Sequence, residues 1–158
     1  MRLTTYTDYA FRTLIFLALQ KETDKGCTIQ DLADSYGISR NHLMKVVQQL
    51  GQLGYVETTR GRGGGIRLGK PADEIRLGDV VRQTEEDMNL VECFNPADNL
   101  CTISRACRLR GVLAEALAAW LAVLDQYTLT DLVANEQELE RVIQLRPAAR
   151  AAIARHIP

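Results

Sequence analysis

The sequence predicts a mainly α fold. A winged helix-turn-helix DNA-binding domain with a two-stranded wing fills the first half, and a long C-terminal dimerisation helix follows. Three observations carry this. Apolar residues recur at helical spacing over 7–20, 28–35, 40–53 and again from 111 onward. A tight turn with one glycine separates the second and third of these stretches. Two short β-favouring runs flank the glycine-rich basic turn Arg60-Gly61-Arg62-Gly63-Gly64-Gly65. The chain of 158 residues is 46% apolar but only 6% aromatic, so its core must be aliphatic, which suits helices better than a sandwich.

In the first helix, over 7–20, Phe11, Leu14, Ile15 and Ala18 form the apolar stripe. Thr5 or Thr7 can cap it, and Asp8 suits the positive end of the helix dipole. The second helix, 28–35, starts at Thr28 with Asp31 three residues on, a capping-box arrangement. Gly37 can take the left-handed conformation that ends it. Ser39 caps the third helix, 40–53, whose Leu43, Val46, Val47 and Leu50 face inward. Residues 55–59 and 66–68 are the strands of the wing, and 77–81 is a short helix after Pro71. Residues 85–109 have no clear period. From Gly111 a broad apolar face runs through Val112, Leu113, Ala116, Leu117, Trp120, Leu121 and Leu124, too wide for a lone helix. A smaller apolar set, Leu129, Leu132 and Val133, follows. The domain reading is 1–84 for the winged helix-turn-helix, 85–109 for a cysteine-bearing loop, 110–145 for the dimerisation helix with its short successor, and 146–158 for a flexible tail.

Charge is uneven. Residues 1–84 hold 12 Lys and Arg against 9 Asp and Glu, and residues 85–158 hold 7 against 11. Within 40–70 the balance is 6 basic to 1 acidic, a local footprint suited to phosphate. A recognition helix needs polar side chains near its N-terminus, and Ser39, Arg40, Asn41 and His42 stand there with Lys45 one turn on. Arg pairs bidentately with guanine and Asn with adenine. Arg60 and Arg62 at the wing tip suit phosphate or a narrow minor groove. Gly64-Gly65-Ile66-Arg67-Leu68-Gly69-Lys70 imitates a phosphate-binding loop. Pro71 stands where Ser or Thr should hold magnesium, and the segment leaves a hairpin, so nucleotide binding is not expected. No nucleophile–base pair or acid pair is evident, and no enzyme is expected. No stretch approaches the roughly 20 apolar residues that cross a bilayer. The start lacks a signal-peptide pattern, so the expected location is cytoplasmic, with no membrane partner.

Cys93, Cys101 and Cys107 lie within fifteen positions, with spacers of seven and five residues. Disulfides are disfavoured in a cytosolic chain. Four readings stay open on spacing alone: an iron–sulfur cluster, a thiol redox switch, zinc, and ordinary buried thiols. Structural zinc favours tighter spacing and four ligands, whereas a cluster tolerates wide spacing because its irons are spread out. Cys27 reads as a small half-buried residue.

Several segments together carry a resemblance. They are Leu3 to Ala10, Gly37 to Val47, Gly54-Tyr55-Val56, Arg60 to Leu68, Ile75 to Val81 and the cysteine triad. Over about residues 1–145 the chain resembles the iron–sulfur winged-helix repressors. Ser39-Arg40-Asn41-His42-Leu43 with Lys45, Leu90-Val91-Glu92-Cys93 and Tyr127 to Leu132 are most similar to the nitric-oxide-sensing branch. The resemblance implies a homodimer with one cluster per subunit, 4Fe-4S favoured over 2Fe-2S, held by Cys93, Cys101 and Cys107. Asp8 matches the position expected to complete the site from the partner subunit. The dimer would bind palindromic operator DNA and repress, and nitric oxide reacting with the cluster would release it, with 85–109 as the two-state element. The rivals are a regulator sensing redox or cluster status, and an iron–sulfur redox protein without regulatory DNA binding.

Overall fold

The computed structural model describes residues 2–20, 27–59, 61 and 64–143. Helix α1 (Thr5–Ala18) is followed by α2 (Ile29–Tyr36) and α3 (Arg40–Gln52). Then come strands β1 (Val56–Thr59) and β2 (Gly65–Leu68), α4 (Leu77–Thr84), α5 (Arg108–Leu124) and α6 (Leu129–Leu132). The expected mainly α winged-helix class is the fold observed. Single 3-10 turns lie at Ala72–Glu74 and Glu92–Phe94, and residues 136–143 are helical. The tail expected over 146–158 and the wing-tip residues Arg60 and Arg62 lie outside the described residues.

Helix α1 begins earlier than its apolar stripe suggested. The cap is Thr4, whose hydroxyl accepts the amide of Thr7 at 3.2 Å. Neither Thr5 nor Thr7 caps it, because Thr7 is turned inward and fully buried, bonded to the Thr84 hydroxyl at 2.9 Å. Thr84 donates its own proton to the Val80 carbonyl, which leaves Thr7 as the donor of that pair. Helix α2 has the expected reciprocal box: Thr28 accepts from the Asp31 amide, and Asp31 accepts from the Thr28 amide. Gly37 ends it at φ 67°. Helix α3 starts after Ser39, although the Ser39 side chain makes no capping hydrogen bond.

One aliphatic core serves all of these elements. Leu14 from α1, Leu32 from α2, Leu43 and Leu50 from α3, Ile75 and Val80 are each fully buried. Burial of each such side chain is worth about 1.5–3 kcal/mol against exposure. Leu129, from the far side of α5, is equally buried in the same cluster. Its amide donates to the Ile75 carbonyl at 2.9 Å, and the Leu77 amide donates to the Tyr127 carbonyl at 3.1 Å. The segment after α5 therefore returns to the first half of the chain and becomes part of its core.

The wing is an antiparallel pair in which Val56 faces Leu68, Glu57 faces Arg67, Thr58 faces Ile66 and Thr59 faces Gly65. Its β2 strand gains a second neighbour, since Ile66 donates to the Cys27 carbonyl at 2.7 Å. The segment resembling a phosphate loop is this strand and its exit.

Helix α5 differs from the rest. None of its residues is buried, although it carries the broad apolar face that the sequence predicts. Leu109, Val112 and Val123 are more than half exposed.

Candidate nucleic-acid interface and thiol loop

The outward face of α3 is set by its inward one. With Leu43, Val46, Val47 and Leu50 buried, helical geometry turns Arg40, Asn41, Met44, Lys45 and Gln48 to solvent, and all five are exposed. Ser39, at the N-terminal end of α3, is exposed as well. The first amides of that helix and an uncommitted Ser39 hydroxyl suit a phosphate oxygen. His42 is exposed too, but leans toward α1, its ring 6.4 Å from that of Tyr9. The Arg12 guanidinium lies 6.0 Å over the same Tyr9 ring. His42 thus stands at the junction of α1 and α3, at the edge of the polar face.

The basic window of 40–70 is less available than its count. Arg67 is paired across the wing with Glu57 at 2.7 Å. Lys70 sits 4.3 Å over the ring of Tyr55, itself buried at the base of the wing. Arg40 and Lys45 remain as the exposed cations of α3. Met44 was missed by charge and hydrogen-bonding criteria. Its position one turn beyond Arg40 and Asn41 was legible from helical spacing, and its side chain is 45% exposed on the same face.

The three thiols lie on the segment that joins α4 to α5. Cys93 is buried in the 3-10 turn, Cys101 is half-buried in a turn whose amide donates to Asn99 Oδ1 at 3.1 Å, and Cys107 is the N-cap residue of α5. All three are free thiols. Among the described residues no group of three or more His, Cys, Asp or Glu side chains converges as a metal site. In chemistry the donor set fits an iron–sulfur group: soft sulfur donors, unoxidised, on a segment without regular structure that can close around it. The single chain does not gather them.

Asp8 lies in the first turn of α1. Arg12 holds its carboxylate by a 2.8 Å ion pair, an i,i+4 spacing visible in the sequence. The end of α1 that carries Asp8 is tied to the end of α4 by the Thr7–Thr84 pair and by the Thr4 amide, which donates to Glu85 at 2.9 Å. These contacts span about eighty residues of sequence, and no local pattern announces them. Trp120 is half-buried and, with Leu113 and Leu117, lines a cleft of about 430 Å³ beneath the segment 85–91. Among the described residues no helix is long and apolar enough to cross a membrane.

Comparison with known proteins agrees with this architecture. The profile of the Rrf2 family, described as an iron-dependent transcriptional regulator, matches residues 3–135. The HTH-type transcriptional regulator NsrR of Bacillus subtilis (strain 168) is 56% identical over 146 residues, covering 92% of this chain and 99% of that protein. A solved structure of CymR, the global cysteine regulator of B. subtilis, superposes with a TM-score of 0.68 at 26% identity, over 85% of this chain and 98% of that one. The structure of T. potens IscR shares the fold, with a TM-score of 0.66 at 22% identity over 88% of this chain and 90% of that one.

Proposed function

The chain belongs to the Rrf2 family of transcriptional regulators, and from that premise we propose that it is an iron–sulfur repressor that responds to nitric oxide. It binds palindromic operator DNA as a homodimer in the cytoplasm. The observation that carries this reading is that all three clustered thiols belong to the one segment linking the DNA-reading half to the long exposed helix. Similarity to a relative named NsrR supports the nitric-oxide branch over a sensor of redox or cluster status. Similarity to regulators along nearly the whole chain argues against a redox protein that does not act on DNA.

Cys93, Cys101 and Cys107 are the ligands we assign, with Asp8 of the partner subunit as the fourth and one cluster per subunit, 4Fe-4S favoured over 2Fe-2S. A bound cluster supplies iron with which nitric oxide reacts. While held, the three cysteines fix the fold of 85–107 and so the bearing of α5 at its Cys107 end. To act as a ligand, Asp8 must exchange its pairing with Arg12, which draws α1 into the same event. When the thiols let go, the segment is released and the recognition helices lose their common alignment. The bare apolar face of α5 supports pairing with a second copy, which doubles the reading surface across a two-fold axis. Ser39, Arg40, Asn41, His42, Lys45, Arg60 and Arg62 are the residues we assign to DNA.

The test is anaerobic purification with iron and sulfide counting, followed by nitric oxide titration while affinity is measured for a duplex selected from a random pool. Cys93→Ala, Cys101→Ala and Cys107→Ala are each expected to abolish visible absorption and to weaken binding of that duplex. A full cluster retained in all three variants would overturn the ligand assignment.

A further inference from the structure

Helix α5 runs from one candidate ligand to one ion pair: Cys107 is its N-cap residue and Asp125 its C-cap residue. Its 17 residues make a rod of about 25 Å. No residue of this rod is fully buried in its own chain, and only one face, with Leu113, Leu117 and Trp120, is half-covered, so the joints at its two ends carry much of its alignment. At the Asp125 end the hold is specific. Arg82 of α4 donates to both carboxylate oxygens, Nη1 to Oδ1 and Nη2 to Oδ2, each at 2.7 Å. Asp79 stands 3.6 Å from the same guanidinium, and Arg76 donates to the Asp125 carbonyl at 3.1 Å.

Gly78 is the second observation. A glycine inside a helix costs about 1 kcal/mol against alanine, so its presence in α4 calls for a reason. Here the reason is space. A Cβ on Gly78 would overlap Asp125 Oδ1 and lie 2.9 Å from Asp125 Cγ. The carboxylate rests on bare backbone, gripped from one side by the guanidinium fork. A bidentate pair on a fitted seat fixes orientation, which an ordinary surface pair does not.

We propose that Asp125, held by Arg82 and seated on Gly78, is a positioning site that sets the angle of α5 to the DNA-reading half, and thereby the separation of the two recognition helices in a dimer. This rests on the dimeric DNA-binding reading given above. The three residues touch neither DNA nor cluster. They act by keeping the rod rigidly joined to α4, so that a change at Cys107 is transmitted as rotation of the whole half.

The experiment uses the full-length protein purified without air. The probes are the duplex that wild type selects from a random pool, two derivatives with one base pair inserted or removed between the half-sites, and one half-site alone. Wild type is expected to prefer the selected spacing. Asp125→Ala is expected to keep the absorption spectrum, the dimeric sedimentation and, within about twofold, the half-site affinity. Its discrimination between spacings is expected to fall by about fivefold or more, the scale of one well-aligned pair at half exposure. Gly78→Ala, which lifts the carboxylate off its seat, is expected to do the same and serves where Asp125→Ala does not fold. Asp125→Asn, which keeps one acceptor, is expected to lie between it and wild type. Spacing discrimination as sharp as wild type in both Asp125→Ala and Gly78→Ala overturns the proposal. A wild-type protein that sediments as a monomer, or selects a site without spacing dependence, overturns the dimeric reading itself and the proposal with it.

Discussion

Asn41 stands at the N-terminal end of α3 among exposed polar neighbours, whereas Arg62 belongs to the glycine-rich basic run 60–65 of the sequence and lies outside the described residues. In the proposed interface the Asn41 amide would read a base edge and the Arg62 guanidinium would meet the backbone. Asn41→Ala is therefore expected to relax preference at particular base pairs by about 1–3 kcal/mol. Arg62→Ala is expected to weaken binding to every sequence alike and to lower its salt dependence, as read by a mobility shift over a salt series. Cys27 illustrates the opposite fate for a reactive group. Burial beside β2, reinforced by the Asp31 charge, pushes its thiol from 9.0 up to about 12. The thiolate is the nucleophile, so Cys27 in native protein at pH 8 is expected to resist iodoacetamide and to react once the chain is unfolded in urea. The folded state keeps a proton that the unfolded chain releases above pH 9. The stability linked to that proton is whole below pH 9 and declines as pH rises toward 12. Alkylation of Cys27 at equal rates in native and unfolded protein would contradict this burial.

Among the elements, the turn between α2 and α3 has the strictest backbone demand. Gly37 at φ 67° accepts a conformation that a side chain resists, and its amide closes α2 on the Ala33 carbonyl at 2.8 Å. Gly37→Ala is expected to destabilise the protein by about 1 kcal/mol, seen as a lower urea midpoint with an unchanged slope. An unaffected midpoint would mean that the turn relaxes freely. The wing is held differently. Its two four-residue strands are braced by the Arg67–Glu57 pair and by the edge hydrogen bond to Cys27, so the hairpin does not stand alone.

At the scale of the molecule, Leu129 joins the segment after α5 to the first half of the chain. It lies beyond α5 in sequence but is fully buried with Leu14, Leu32 and Ile75. Leu129→Ala is expected to cost about 2–5 kcal/mol and to lower the melting temperature of the helix-turn-helix itself in one cooperative transition. Two separate transitions, with the first half unmoved, would show that the segment after α5 is not part of that core. The return of this segment also anchors the far end of α5 on α4 through Leu77, Arg76 and Arg82.

The order of the helices, the reciprocal cap at Thr28 and Asp31, the Gly37 turn, the wing and the exposed face of α3 are all local. Each follows from residues a few positions apart, because helical period, capping and turn conformation act over one or two turns of chain. The Asp8–Arg12 pair is local too, at i,i+4, although the sequence reading gives Asp8 only as a dipole charge and a candidate ligand. Thr4 as the cap of α1 was not legible, because an 81-residue contact to Glu85 and the inward turn of Thr7 onto Thr84 decided it. Nor could the sequence show that Arg67 pairs with Glu57 and Lys70 lies over Tyr55, that Leu129 returns to the core, or that Gly78 makes room for Asp125. Those contacts join residues distant in the chain. They exist only once an aliphatic core has closed and brought their elements together, a condition that no local period encodes.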